Sequence, residues 1–295
     1  MSKEHPIVAV TGSSGAGTSS VKNAFEIIFR HEGITPAFVE GDGYHRYNRQ
    51  EMDDVVKAAE HEGKNITHFG PEGNLFEDLE NTFREYSEHG TGKCRYYIHN
   101  DAEAAIHGSP TGTLTDWCDL PENTDLLFYE GLHGAVITDT INVHQFADLI
   151  IGVTPIINLE WMQKIHRDKE YRGYSPEDAT ELILSRMHDY IHYITPQFSR
   201  TDINFQRVPT VDTSNPFGVF EIPTSDESFV VIHIRNQDKI KVDFQELLKM
   251  LNGSFMTKPN TIVVPAGKMI FAMRLITNPL IQDLMKNKNA VNKSV

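Results

Sequence analysis

The chain has 295 residues, of which 39% are hydrophobic and 23% are charged, and its formal net charge at pH 7 is −14. A chain of this length and composition can bury the core of one large globular domain or two modest ones. The acidic balance argues against a nucleic-acid-binding protein, because proteins that bind phosphate backbones carry an excess of positive charge. No apolar run approaches the roughly 20 residues of a membrane-spanning helix. With two cysteines and no signal-peptide core at its start, we expect a cytoplasmic protein.

Short runs rich in Val, Ile, Leu or Phe alternate with segments of helical periodicity. The runs predict strands at residues 7–10, 37–40, 126–130, 149–153, 229–234 and 261–264. The helical segments are residues 19–31, 50–62, 74–88, 157–170, 177–194, 243–251 and 267–287. This alternation predicts an α/β fold with a doubly wound sheet, mainly parallel or mixed. Residues 92–118 interrupt the alternation and are expected to form an inserted hairpin, and without repeats or a linker we predict a single domain over residues 1–295.

A glycine-rich segment follows the first strand directly and leads into the first helix. Its residues are Gly12, Ser13, Ser14, Gly15, Ala16, Gly17, Thr18 and Ser19. Between a strand and a helix, such a loop presents backbone N–H groups and a helix N-terminus to a polyphosphate. The Ser19 hydroxyl stands where such loops place their Mg²⁺ ligand. Thr18 occupies the position that lysine usually fills, so the positive charge must come from elsewhere in the chain.

A second candidate cluster follows the strand at residues 37–40. Asp42 lies between two glycines just past the strand end, where a carboxylate near a phosphate loop could accept a proton from an attacking hydroxyl. His45 and Arg49 follow and are suited to contacts with hydroxyl and phosphate groups. The alternative is an aspartate that caps a solvated turn, and the position beside the phosphate loop favours the catalytic interpretation.

Glu130 closes the strand at residues 126–130. An acidic residue at such a strand end holds Mg²⁺ in phosphate-loop enzymes, either directly or through water. The alternative is a glutamate that caps the following loop. In combination with the glycine-rich loop, the pattern favours Glu130 as a metal-binding residue.

Basic residues are densest in the second half of the helix at residues 157–170. Lys164, Arg167 and Asp168 share one face of this helix, because steps of three and four residues align side chains. A run of charges is usually a solvated helix face. The loop without lysine nevertheless needs a cation for the transferred phosphoryl group, and this helix is the densest supply.

Taken together, these segments resemble the phosphoribulokinase family of the bacterial type. The resemblance is carried by the lysine-free loop, by residues 40–42 (EGD) with His45 and Arg49, by residues 128–134 (FYEGLHG), by residues 158–161 (NLEW), 164–168 (KIHRD) and 172–173 (RG), and by residues 201–209 (TDINFQRVP) and 212–217 (DTSNPF). It implies a P-loop kinase fold similar to that of nucleotide-monophosphate kinases. It also implies ATP- and Mg²⁺-dependent phosphorylation of the C1 hydroxyl of ribulose 5-phosphate, the reaction of the Calvin cycle.

The resemblance further implies roles for individual residues. Asp42 would be the general base, and Asp168 would be a second essential acid. Lys164 would supply the cation that the loop lacks, and Glu130 would place Mg²⁺ together with Ser19. The residues that would hold the sugar phosphate are His45, Arg49, Arg167 and Arg172.

Partners can also be predicted from the resemblance. Bacterial-type members are typically homo-oligomers that NADH activates and AMP inhibits, so we expect a homo-oligomer with these two effectors. The thiol switch of plant-type relatives is not expected, because the loop here contains no cysteine. Two alternatives stay open: a kinase similar to uridine or pantothenate kinases, and a nucleotide-sensing paralogue without catalytic activity.

Overall fold

The computed structural model describes residues 4–12, 18–154, 156–218 and 221–292, and of residues 18–20, 171–172 and 291–292 it describes the backbone alone. The strands are β1 (Ile7–Gly12), β2 (Pro36–Glu40), β3 (Lys93–Cys94), β4 (Cys118–Asp119), β5 (Leu126–Gly131), β6 (Leu149–Val153), β7 (Ile203–Pro209), β8 (Ser228–Ile234), β9 (Phe255–Lys258) and β10 (Thr261–Pro265). The helices are α1 (Thr18–Glu32), α2 (Arg49–His61), α3 (Phe76–His89), α4 (Asp101–His107), α5 (Ile157–Arg172), α6 (Pro176–Ser185), α7 (Met187–Asp189), α8 (Phe244–Met250) and α9 (Met269–Asn292).

Over the described ranges, one mixed sheet contains eight strands in the order β2-β5-β1-β6-β7-β8-β10-β9. The strands from β2 to β7 in this order are parallel, and β8, β10 and β9 extend the sheet in antiparallel fashion. β1 lies between β5 and β6, so the strands that follow β1 in the chain lie on both sides of it in the sheet. The predicted doubly wound α/β fold is confirmed. None of the described helices combines the length and the apolar character that crossing a membrane requires.

Both faces of the sheet are covered by helices. Val8 and Val10 of β1 pack into one core with residues of α1, α8 and α9. Ile7 and Ala9, which alternate with them, pack into a second core with residues of α3. Successive side chains of a strand point to opposite faces, so every residue of β1 is buried. This double coverage explains why the central strands are nearly continuous apolar runs.

The predicted strands are all present, with ends that shift by no more than two residues, but local periodicity missed other elements. β7 carries polar or charged residues between its buried ones, so it lacks the apolar run by which the other strands were predicted. The prediction of one helix over residues 177–194 is wrong in its extent. α6 ends at Ser185, and α7, a π-turn and a 3-10 turn follow. These irregular turns bury Tyr190 and Ile194 against Phe69, so tertiary packing overrides the regular helical pattern.

The insert at residues 92–118 supports the turn that follows β2. Its strands β3 and β4 are antiparallel neighbours, and α4 lies between them in the chain. Arg95 donates from Nε to the Gly43 carbonyl at 2.7 Å and from Nη2 to the His45 carbonyl at 2.5 Å. Its guanidinium also lies 4.7 Å from the ring centroid of Trp117. A Cβ at Gly43 would collide with the Arg95 carbonyl, so the turn and the insert are in backbone contact.

We expect Arg95→Ala to lower the free energy of unfolding by roughly 1–3 kcal/mol, because two carbonyl acceptors lose their charged donor. Arg84→Ala is the matched control, since Arg84 is exposed and its side chain donates to Asn81 on its own helix. Urea unfolding of both variants measures the difference. A loss below about 0.5 kcal/mol for Arg95→Ala, equal to that of an ordinary surface substitution, would contradict this role for the insert.

Candidate active site

The ends of three parallel strands bring the candidate residues to one edge of the sheet. Val10 of β1 and Glu40 of β2 are both in register with Glu130 of β5. Just beyond these positions the backbone after β2 and the backbone at the end of β5 approach closely, since a Cβ at Gly131 would lie 2.7 Å from the Gly41 Cα. Only glycine at both positions permits this approach. The turn that carries Asp42 therefore lies directly beside the end of β5.

The Asp42 carboxylate is held between two imidazoles. Its Oδ1 lies 3.3 Å from His45 Nε2, and its Oδ2 lies 3.3 Å from His99 Nε2. Desolvation acts to raise the pKa of Asp42, but the hydrogen bonds and the charges of His45 and His99 hold that pKa well below its usual range. The hydrogen bond to Asp42 in turn raises the pKa of His99. Asp42 is thus ionised at neutral pH, and because its side chain is 39% exposed, a ligand can reach it.

His45 is oriented by the buried side chain of Asn74. The Asn74 amide donates to the carbonyls of His68 and Gly70 at 2.9 and 2.7 Å. Its oxygen is therefore the atom that faces His45 Nδ1 at 2.9 Å, and Nδ1 must donate to it. This bond fixes the ring so that Nε2 points to Asp42. From the sequence, His99 could serve equally as a contact to a sugar hydroxyl or as a packing residue, and nothing marks Asn74, because each is far from Asp42 in the chain.

Lys164 and Asp168 form a buried ion pair on α5. Lys164 Nζ lies 2.7 Å from Asp168 Oδ2, and the two side chains are 9% and 0% exposed. Arg167 Nε lies 3.6 Å from the other carboxylate oxygen. Burial and the nearby charge of Arg186 lower the pKa of Lys164 to about 8, against the opposing effect of Asp168. The structure thus brings together the three residues that helical spacing placed on one face.

A second lysine near the phosphate loop was missed by sequence analysis. Lys22 lies on α1, one helical turn beyond Thr18, and its Nζ is 2.6 Å from Glu40 Oε1. Burial alone would lower the pKa of Lys22, but the hydrogen bond and the charge of Glu40 raise it overall, with a further contribution from Glu130. The sequence signal that could have revealed Lys22 is its position one helical turn after Thr18, which occupies the usual lysine position.

Gln197 links the end of β1 to the segment that follows β5. This fully buried side chain accepts through Oε1 from the Thr11 hydroxyl at 3.2 Å and from the Ala135 N–H at 3.0 Å. Its Nε2 donates to the carbonyls of Leu132 and Tyr193 at 2.8 and 2.7 Å. No sequence motif marks Gln197, which lies in the irregular turns after α6.

The glycine-rich loop is described at its two ends. Gly12 is the last residue of β1, and α1 begins at Thr18. The candidate residues Ser13, Ser14, Gly15, Ala16 and Gly17 lie outside the described residues, as do the side chains of Thr18, Ser19 and Arg172. Arg49 is exposed at the start of α2, and its backbone N–H donates to the Gly112 carbonyl of the insert at 2.9 Å.

The residues at this edge fit Mg²⁺ bound together with a nucleotide. Among the described residues, no three His, Cys, Asp or Glu side chains are grouped as a metal site. Mg²⁺ usually takes one or two protein carboxylates and completes its shell with phosphates and water. Glu130, at the end of the strand beside β1, offers a carboxylate of that kind. The backbone N–H groups at the start of α1 could bind the phosphates of a nucleoside triphosphate.

Comparisons with known proteins identify the family of this chain. A family model described as "Phosphoribulokinase / Uridine kinase family" matches residues 7–214. The phosphoribulokinase of Nitrobacter vulgaris is 58% identical over 98% of this chain and 99% of its own length. The chromosomal phosphoribulokinase of Cupriavidus necator is 57% identical over 98% of both chains. The solved structure of the phosphoribulokinase from Rhodobacter spheroides has a TM-score of 0.90 and 49% identity, covering 98% of this chain and 100% of that one.

These similarities extend over nearly the whole chain rather than over the glycine-rich loop alone. The resemblance predicted from the sequence is therefore confirmed, and so are the P-loop kinase fold and the assignment to the kinases. The chain belongs to the phosphoribulokinase/uridine kinase family.

Proposed function

We propose that this protein transfers the γ-phosphoryl group of ATP to the C1 hydroxyl of ribulose 5-phosphate and so forms ribulose 1,5-bisphosphate. The observation that best supports this reaction is the ionised Asp42 carboxylate. It is held by His45 and His99 at the ends of the strands next to β1, which leads into the phosphate loop. The choice of acceptor is supported by relatives named phosphoribulokinase that are 53% to 58% identical over nearly the full chain.

Asp42 is the proposed general base. As the C1 oxygen bonds to the γ-phosphorus, the bond from that phosphorus to the bridging oxygen breaks, and ADP leaves with the electron pair. The hydroxyl proton passes to the Asp42 carboxylate. A carboxylate with a lowered pKa is a weak base, so Asp42 mainly orients the hydroxyl and takes its proton late, which suits a loose transition state.

Lys164 is the proposed source of the positive charge that the loop lacks. Its ammonium is largely protonated at neutral pH, because its pKa is lowered only to about 8. Asp168 is completely buried and contacts Lys164 and Arg167. We therefore assign Asp168 to holding these two cations in place, so that Lys164 can stabilise the oxygens of the transferred phosphoryl group and Arg167 can bind the sugar phosphate.

The remaining residues of the proposal bind the substrates. Glu130 and the Ser19 hydroxyl would hold the Mg²⁺ that neutralises charge on the ATP phosphates. The groups assigned to the sugar phosphate are Arg49, Arg167 and Arg172, because guanidinium groups donate two parallel hydrogen bonds to phosphate. His45 was expected to join them, but both of its ring nitrogens face Asn74 and Asp42, so we assign it to positioning Asp42. Activation by NADH, inhibition by AMP and a homo-oligomeric state stay predictions from the resemblance, and a cytoplasmic location stays a prediction from the composition of the chain.

The acceptor is tested by measuring ADP release with ribulose 5-phosphate, uridine and pantothenate in parallel. We expect turnover with ribulose 5-phosphate alone, because the arginines are assigned to the phosphate group of the acceptor, which uridine and pantothenate lack. Turnover with uridine or pantothenate instead would show another kinase of this family. Binding of ATP without turnover of any acceptor would show a nucleotide sensor.

We expect Asp42→Asn to lower kcat with ribulose 5-phosphate by roughly two to four orders of magnitude, the usual contribution of a general base. The affinity for ATP, measured by calorimetry, should stay within about threefold, because Asp42 does not bind the nucleotide in this mechanism. Asp226→Asn, at an exposed aspartate before β8, is the matched control. Nearly unchanged turnover of Asp42→Asn would remove Asp42 from the role of base.

The pH dependence of kcat/KM tests Lys164. Because the protonated ammonium is required and its pKa is about 8, kcat/KM should fall as the pH rises above about 8. Lys164→Arg keeps the charge at all these pH values, so the fall should move to higher pH even if the maximum is lower. Lys164→Met should lower kcat more than it weakens ATP binding. If kcat/KM of Lys164→Arg falls at the same pH as that of the unmutated protein, the group that titrates is not Lys164.

A further inference from the structure

Cys94 and Cys118 face each other across the small sheet of the insert. They are paired residues of the antiparallel strands β3 and β4, and their sulfur atoms are 3.7 Å apart. Directly opposite residues of antiparallel strands have Cα atoms about 4.5–5.5 Å apart. That separation lies within the range that a disulfide spans. A bond between the sulfurs therefore needs side-chain rotation and no movement of the strands.

The two thiols differ in their access to solvent. Cys118 is exposed, whereas Cys94 is 2% exposed and belongs to the core beneath the sheet. Burial, together with the neighbouring Cys118 thiol, raises the pKa of Cys94 to about 12. A dissolved oxidant thus meets Cys118 first, and Cys94 is placed to attack the sulfur that has been modified.

We propose that Cys94 and Cys118 form a reversible disulfide when a small-molecule disulfide, such as glutathione disulfide, reacts with the folded protein. The Cys118 thiolate attacks one glutathione sulfur, which forms a mixed disulfide and releases one glutathione thiolate. The Cys94 sulfur then attacks the Cys118 sulfur while its proton passes to the departing glutathione sulfur, which leaves as the second glutathione. In total, two protein thiols and one glutathione disulfide give one protein disulfide and two molecules of glutathione.

The bond would strengthen the support of the Asp42 turn. Arg95 follows Cys94 and holds the carbonyls of that turn, while Trp117 precedes Cys118 and packs edge-on against Tyr44, 5.5 Å between ring centroids. The disulfide closes a loop with a sequence separation of 24 residues and so restricts the unfolded chain. Since the strands already have the required spacing, oxidation stabilises the insert and leaves the turn in place.

The test uses the purified full-length protein, incubated with glutathione disulfide under native conditions and then alkylated. We expect an intact mass lower by two hydrogens, no alkylated cysteine, and a proteolytic fragment that joins the segments of residues 94 and 118. The Tm should rise by roughly 3–6 °C, and dithiothreitol should reverse both changes. Because these readouts involve no turnover, they stand or fall independently of the proposed kinase reaction.

Two single variants separate the steps. Cys94→Ser should stop at one glutathione on Cys118, and Cys118→Ser should leave the buried Cys94 unmodified, in both cases without the rise in Tm. A lasting single-glutathione adduct in the unmutated protein, or a crosslink that forms only in urea, would overturn the proposal. So would a crosslinked protein whose Tm does not rise.

Discussion

The chain must neutralise a polyphosphate with a loop that carries Thr18 where such loops usually carry lysine. Its net charge of −14 supplies no general attraction for phosphate, so the few cations that we propose for the site have to be held individually. Lys22 is paired with Glu40, and Lys164 is paired with Asp168. A buried ammonium without a carboxylate would lose its proton, because burial disfavours the charged form. The Lys164–Asp168 pair therefore keeps a cation available inside the protein, and the proposed mechanism depends on it.

The same reasoning applies to the candidate base, with the signs reversed. The Asp42 carboxylate stays ionised because two imidazoles face it, and its neighbour His45 is fixed in turn by Asn74. The insert completes this support from outside the sheet, since Arg95 binds the carbonyls on both sides of Tyr44. The site is thus a set of charges whose positions are fixed by neutral or oppositely charged partners, as preorganised electrostatic catalysis requires.

Features that depend on local pattern could be predicted from the sequence. The order of strands and helices follows from apolar runs and helical periodicity, and the grouping of Lys164 with Asp168 follows from a spacing of four residues on one helix. His99, Asn74 and Gln197 reach the site through contacts between distant parts of the chain. No local spacing carries that information, so Asn74 and Gln197 could not be predicted, and His99 could not be distinguished from a packing residue. β7 was missed because its polar residues interrupt the apolar run.

The proposed mechanism requires that an ammonium on α5, outside the phosphate loop, completes the binding of the transferred phosphoryl group. A crystal structure with a non-hydrolysable ATP analogue and ribulose 5-phosphate tests it most directly. We expect Lys164 Nζ at about 3 Å from an oxygen of the γ-phosphate. A complex in which Lys164 contacts Asp168 alone, while Lys22 or another cation binds the γ-phosphate, would contradict it.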